Sequence, residues 1–466
     1  MVAKDGTMPT SEPGPSAVLR GLPSIEAVLR QPTLAAWPRP LLADTARAWL
    51  DELRAAVLAG QLDAAALAAA LGAPAYPELV LRCQRRAAPR HRSVVNATGI
   101  VLHTGLGRAP LAAAAMAAVQ AAAQYAIVEV DPDTGVRDQR ELGVAALLRD
   151  LTGAAALVVN NNAAATLLML AAHGAGREVV VSRGELVEIG GGFRMPDVMV
   201  QAGCRLVEVG TTNRTRLADF EAATGPNTAA WLCVHPSNFR IEGFTEAPDL
   251  AALVAAAAAR GLPVLDDLGS GLLWDAPLLG LETEPRVRAH LAAGPAVVVC
   301  SGDKLLGGPQ CGLLLGAPEA IAQCRRHALY RALRCDKLTL AALEATLRIY
   351  RDGEPLAQIP TLAMLAAPPA VLEARSRELA QRLGGAARVV SSESFAGSGA
   401  NPAKPLPSFA VALPGGDALA SALRRSAPRP IFARVYQGSV QLDARTLLHE
   451  DLEPLATAVR SALPSP

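Results

Sequence analysis

A lysine that directly follows a buried strand, with small residues around it, has the surroundings an imine-forming amine needs, and Lys304 is such a residue. It stands in Ser301-Gly302-Asp303-Lys304-Leu305-Leu306-Gly307-Gly308, after the apolar run 296–300. The glycines leave room beside the amine for a flat cofactor, and lysine is the side chain that forms imines once burial or neighbours lower its pKa. Upstream, Val264-Leu265-Asp266-Asp267-Leu268-Gly269 sets two acids at the end of another apolar run. A carboxylate beside a pyridine nitrogen keeps that nitrogen protonated, which an electron-sink cofactor requires; Asp266 and Asp267 are both candidates. Further upstream, Asn160-Asn161-Asn162-Ala163-Ala164 leads from a β-branched run into a helical one. The N–H groups of such a helix start attract phosphate, which makes Asn161 and Asn162 candidate ligands. Amine, acid and phosphate site together match pyridoxal 5'-phosphate (PLP).

These groups need elements to hold them. Between about 93 and 350 the chain alternates β-branched runs (156–159, 178–182, 205–209, 231–235, 264–267, 297–300, 313–315) with alanine-rich helical stretches such as 163–172, 217–223 and 249–260. That alternation predicts an α/β domain whose mainly parallel sheet carries helices on both faces. Ligands then bind beyond the carboxyl ends of the strands, where all three segments lie. Before it, 16–92 has apolar residues at helical spacing (Leu42, Ala46, Trp49, Leu50, Leu53, Val57) broken by prolines, which predicts a small helical domain. It ends in the basic run Arg82, Arg85, Arg86, Arg90, His91, Arg92, read either as a solvated linker or as an RNA-facing patch. Residues 1–15 are expected to be a disordered lead. From 351 to 466 a long helical stretch gives way to strand-like segments at 408–413 and 431–435 and a last helix near 452–463, a small C-terminal α/β domain.

Composition narrows the class. With 44 Lys+Arg against 43 Asp+Glu the net charge is +1, so any contact with nucleic acid must come from a local patch. The seven cysteines are scattered with no CxxC pair, and the seven histidines show no HExxH spacing. Neither a disulfide framework nor a metal site is expected, and a reducing cytoplasm fits. A phosphate loop of the GxxxxGK type is absent, and Gly105-Leu106-Gly107 lacks the rest of a dinucleotide fingerprint. No stretch has the length of a membrane helix.

Five segments resemble the bacterial selenocysteine synthase family: Asn96-Ala97-Thr98-Gly99-Ile100-Val101-Leu102-His103-Thr104-Gly105-Leu106-Gly107-Arg108, Ser182-Arg183-Gly184-Glu185-Leu186-Val187-Glu188, Gly210-Thr211-Thr212-Asn213-Arg214-Thr215, the lysine segment, and Arg331-Ala332-Leu333-Arg334-Cys335-Asp336-Lys337. Similarity is densest from Asn96 to Tyr350. In addition, Asp267-Leu268-Gly269 is similar to the Asp-x-Ala/Gly of many fold-type I PLP enzymes, which favours Asp267 for the ring nitrogen, with Asp266 as the alternative.

The resemblance implies a fold-type I PLP-dependent transferase acting on tRNA(Sec) charged with serine. Lys304 would hold the cofactor, be displaced by the seryl amine, and take the Cα proton as base; loss of the hydroxyl would leave an aminoacrylyl group to which selenophosphate supplies selenium. Guanidinium groups suit that compact anion, and the family's Arg-x-x-Arg segment points to Arg331 and Arg334, neighbours if helical, with Arg108 third. Asp303 would orient Lys304 or assist proton transfer, or else cap a turn. Because the serine carboxyl is esterified, no carboxylate clamp is needed, although Arg434 and Arg445 could form one. The resemblance also implies a cytoplasmic homo-oligomer, a decamer built of dimers. The rival reading is a PLP-dependent lyase acting on a free amino acid or amino sugar acid.

Overall fold

The computed structural model describes residues 15–273, 279, 281–282, 284–385, 387–397, 399–400, 404–426 and 428–463. The expected lead 1–15 therefore lies outside the described residues, but for Pro15. Backbone contacts divide the chain into two units, 1–93 and 94–466.

In the first unit the helices Arg39–Leu58, Ala64–Leu71 and Pro77–Ala87 follow two short ones. The apolar spacing is what makes them pack: Leu42, Ala46, Trp49, Leu53 and Val57 recur on one face of the long helix and bury against Leu79 and Cys83. Trp49 meets the Tyr76 ring edge-on at 6.1 Å. The basic run is divided in its roles. Arg82 is held by Glu52 and Glu78 at 2.8 and 2.9 Å, whereas Arg85, Arg90, His91 and Arg92 are exposed.

The second unit holds a seven-stranded sheet in the order Ala155–Val159, Gly312–Gly316, Val297–Ser301, Val264–Gly269, Thr228–Val234, Glu178–Ser182, Arg205–Val209. Gly312–Gly316 runs antiparallel to both neighbours and the remaining pairings are parallel. Strands at the centre are buried along their whole length, as parallel strands covered on both faces must be, and their Val and Leu runs supply that apolar surface. Helices Asn162–Gly174 and Leu142–Thr152 are among those that cover it.

A six-stranded sheet follows the order Val95–Ala97, Ile431–Tyr436, Ser439–Asp443, Pro405–Pro414, Arg388–Gly397, Ile100–Leu102. The segment 95–102, which the sequence assigns to the large domain, thus supplies both edges of the C-terminal sheet. Laid flat, such a sheet would be about 24 Å from edge strand to edge strand at ~4.8 Å spacing, whereas three residue steps from Ala97 to Ile100 reach about 11 Å. The sheet must therefore curl. Inside the curl lies Asp443, fully buried, which accepts from the Ser392, Ser394 and Ser408 hydroxyls and from Arg434 at 2.7–3.0 Å. A Cβ on Gly99 would stand 2.7 Å from that carboxyl, and its φ of +75° suits glycine.

Candidate active site

Lys304 sits on the loop between strands Val297–Ser301 and Gly312–Gly316. Backbone bonds hold the loop: Gly302 N–H donates to Cys311 at 2.9 Å, Gly308 N–H to Gly302 at 2.8 Å, and Leu305 N–H to Ser270 at 3.0 Å. The last of these ties the lysine loop to the end of the aspartate strand. Lys304 is 7% exposed. Burial lowers its pKa, assisted by the Arg108 charge, against the opposing pull of Asp267. A lysine so placed has more of the free amine that attacks a carbonyl. Two glycines keep space around it: a Cβ on Gly399 would lie 2.4 Å from Nζ, and one on Gly269 3.7 Å.

The two aspartates separate. Asp267 accepts from Asn162 Nδ2 at 2.9 Å and from Thr166 Oγ1 at 2.8 Å. Asp266 points to the opposite face of the strand, as alternate strand residues do, and meets His290 Nδ1 at 2.7 Å. Burial raises the pKa of Asp267, while the two donors and Lys304 oppose the rise. A buried carboxylate of this kind gains from a cationic N–H brought against it.

The asparagines differ from the expected pair of phosphate ligands. Asn161 caps the helix Asn162–Gly174 by accepting from Ala164 N–H at 2.8 Å, and Asn162 turns to Asp267. The remaining N–H groups of that first turn are the part of the helix start suited to phosphate. Gly312 permits the arrangement, because its Cβ would fall 2.2 Å from the Asn161 carbonyl oxygen.

Of the three arginines, Arg108 is brought to the lysine. Its Nη1 lies 2.7 Å from Asp303 Oδ2, on a backbone with φ of +62°, so Asp303 is joined to a guanidinium and does not cap a turn with its side chain. Arg331 and Arg334 do not share a helix. Helix Ala328–Leu333 ends before Arg334, which turns extended and bridges Val159. Arg334 Nη1 is 3.5 Å from Glu129, a carboxylate also gripped by Arg137 and Arg140; Arg331 is exposed. Neither C-terminal arginine is available as a clamp. Arg445 is buried against the carbonyls of Met364, Leu365 and Pro407, and Arg434 is bound to Asp443, Ser392 and the Glu393 carbonyl.

Three groups that the sequence reading missed stand nearby. His235 follows strand Thr228–Val234, and its N–H donates to the Asp267 carbonyl at 2.9 Å. Burial, with the His290 and Lys304 charges, lowers its pKa to about 4, so the imidazole is neutral at physiological pH. Glu185 and Glu284 line, with His235, a cavity of about 470 Å³ bordered by Thr212, Arg214 and Phe239. A signal for His235 existed, since it is the first residue after a buried strand, as Lys304 is the third after its own.

Glu185 accepts from Val234 N–H at 3.0 Å, and burial raises its pKa from 4.5 to about 8. The folded chain then holds a proton that the unfolded chain has released. Its contribution to stability is complete below about pH 4.5 and is lost as pH rises through about 8. Glu185→Gln is expected to remove that decline: the melting temperature of the wild type should fall relative to the variant across this window and run parallel to it above. Melting curves recorded at several pH values test this, and a constant difference would refute it.

Among the described residues, no group of His, Cys, Asp or Glu side chains could hold a metal ion, and no helix is long and apolar enough to cross a membrane. The described residues do fit PLP: a buried amine, an opposed and donor-braced carboxylate, glycines that leave space, and a helix start for the phosphate.

Known proteins share the sequence and the fold. The model of the family described as "SelA: L-seryl-tRNA selenium transferase" matches residues 94–448. The L-seryl-tRNA(Sec) selenium transferase of Solidesulfovibrio magneticus is 47% identical, covering 96% of this chain and 98% of that protein. That of Moorella thermoacetica is also 47% identical, covering 96% and 97%. Among solved structures, D-glucosaminate-6-phosphate ammonia-lyase superposes with a TM-score of 0.57 at 22% identity, over 80% of this chain and 96% of that one, a likeness of fold alone. With the family model spanning most of the second unit and near-full-length relatives at this identity, the chain belongs to the L-seryl-tRNA selenium transferase family.

Proposed function

We propose that this chain converts the serine carried by tRNA(Sec) to selenocysteine, with Lys304 as the attachment point of PLP and selenophosphate as the selenium donor. The reading is supported above all by one pairing: a buried, pKa-lowered Lys304 on one strand end and a donor-braced Asp267 on the next. When bound, PLP supplies an electron sink for the pair released at the seryl Cα. Asp267, held by Asn162 and Thr166, would keep the ring nitrogen protonated. Lys304, freed when the seryl amine replaces it, would take the Cα proton; its lowered pKa favours the free amine that a base must be. The seryl hydroxyl would then leave as water and selenium add to the β-carbon.

Arg108 is the arginine nearest this chemistry and would meet the anionic donor, with Asp303 fixing its guanidinium. Arg331 and Arg334 would join it as parts of the same anion site. The exposed Arg85, Arg90, His91 and Arg92 support a role for 16–92 in meeting tRNA, beside a PLP domain at 93–350 and a small domain at 351–466. Exposed Tyr125, Ile127 and Val136 support burial of this surface in a homo-oligomer, a decamer built of dimers by family resemblance. A cytoplasmic location accords with seven unpaired cysteines.

The test is direct. Full-length chain loaded with PLP, given radiolabelled seryl-tRNA(Sec) and selenophosphate, is expected to yield labelled selenocysteine after ester hydrolysis. Elimination from free serine or an amino sugar acid, with seryl-tRNA(Sec) untouched, would refute the reading.

A further inference from the structure

The cavity lined by His235 and Glu185 contains a carboxyl group that the reaction as described leaves unused. Glu284 is 4% exposed, lines the cavity wall, and its Oε1 has no hydrogen-bond partner among the described residues. His235 Nε2 is 3.9 Å from that oxygen, too far for a hydrogen bond, and Ser270 is the side chain that acts on the carboxyl from within the protein. Buried polar atoms are almost always paired, so one left open toward a cavity marks the place of a ligand group. Two residues beyond His235, Ser237 Oγ and Lys304 Nζ both lie 3.7 Å from a Cβ placed on Gly269, so the chain that leaves the cavity wall reaches the Lys304 amine, and the Lys304 charge acts on Glu284.

β-Elimination from serine needs two proton transfers. Hydroxide is a poor leaving group, so the β-oxygen must gain a proton as the Cβ–O bond breaks, while a base removes the proton on Cα. Lys304 is the base. Asp303 is tied to Arg108 at 2.7 Å and Asp267 to Asn162 and Thr166. His235 is neutral, and a neutral imidazole is a weak acid. Glu185, the other acid of the cavity, is bonded to Val234 N–H and, unlike Glu284, feels no influence of the Lys304 charge. Glu284 remains.

We propose that Glu284 is the general acid that protonates the departing seryl hydroxyl, an inference that rests on the function proposed above. Lys304 Nζ takes the Cα proton, and the Cα–H electron pair becomes the second bond between Cα and Cβ. The Cβ–O pair goes to oxygen, the Glu284 proton joins it, and water leaves; Glu284 is then a carboxylate and Lys304 an ammonium ion. No oxidant or reductant takes part. Burial raises the pKa of Glu284, opposed by Ser270 and the Lys304 charge. That opposition from Lys304 disappears when its amine is deprotonated to act as a base.

Leaving groups separate this role from a structural one. Chloride departs without a proton, so β-chloroalanyl-tRNA(Sec) bypasses a general acid. Glu284→Gln is expected to slow water loss from seryl-tRNA(Sec) by about 100-fold, yet to eliminate chloride at close to the wild-type rate and to exchange the seryl Cα proton in D₂O. Glu284→Asp should recover part of the loss. Difference infrared spectra of the chain without cofactor should contain the carbonyl stretch of a protonated carboxyl that Glu284→Gln removes. Equal slowing with both leaving groups, unchanged water loss, or no such band would overturn the proposal. If the wild type eliminates chloride but cannot make selenocysteinyl-tRNA, the selenium reading fails while the acid role is still decided by the two variants.

Discussion

Replacing Lys304 by alanine is expected to lower selenocysteinyl-tRNA formation by 10⁴-fold or more, an order of magnitude that follows from losing anchor and base together. A positioned base alone contributes roughly 10²–10⁴-fold, and the variant also loses the covalent attachment that orients the cofactor. The environment makes the lysine hard to substitute by any neighbour. Gly269 and Gly399 bring no side chain to the space, Arg108 is held by Asp303, and His235, neutral, forms no imine. Two measurements check the prediction. Borohydride reduction of the wild type should leave a pyridoxyl group on the peptide that contains Lys304, found by mass spectrometry, and none on the variant. Small primary amines added to the variant should restore part of the Cα proton exchange, because they can occupy the volume vacated by the side chain. Retention of a reducible adduct in Lys304→Ala would mean that another amine carries the cofactor.

The segments easiest to read in the sequence were those whose chemistry and environment agree. Strands Glu178–Ser182 and Arg205–Val209 and helix Leu217–Ala223 have the expected bounds, since apolar β-branched runs and alanine-rich helices change sharply at polar boundaries. Strand Arg388–Gly397 was not legible. Its inward side chains include Ser392 and Ser394, which serve Asp443, so hydrophobic alternation is absent where a polar network forms the interior. Strands Val95–Ala97 and Ile100–Leu102 were hidden differently: three residues each, they belong to a sheet whose other strands begin nearly 300 residues later. In the candidate site, Lys304 and Asp267 stand out in the sequence because each follows or ends a buried strand. The use of Asn162 could not, because its partner Asp267 is 105 residues away and nothing local distinguishes a brace from a phosphate ligand. Arg331 and Arg334 illustrate the weakness of spacing alone. A separation of three implies neighbours only within a helix, and the bridge from Arg334 to Val159 ends that helix first.

Asp267→Asn is expected to lower turnover on the order of 10³-fold with little change in PLP content. The argument starts from charge. A carboxylate a few ångströms from a protonated ring nitrogen raises that nitrogen's pKa by about 1–3 units, and each unit is a factor of ten in the protonated fraction once the pKa lies below ambient pH. Asparagine has nearly the same shape but carries no charge, and it brings an N–H₂ to a position where Asn162 and Thr166 already direct donors. One of those bonds is therefore lost or inverted. Lys304 should still hold the cofactor, so absorbance and the borohydride adduct should persist while Cα proton exchange falls with turnover. Asp266→Asn is the matching control: that carboxyl faces His290 at 2.7 Å, on the other side of the strand, and its loss should cost far less turnover. Comparison of the two variants by Cα exchange decides the assignment. A larger loss in Asp266→Asn would transfer the role to Asp266, because only the residue beside the ring nitrogen controls how well negative charge at Cα is dispersed.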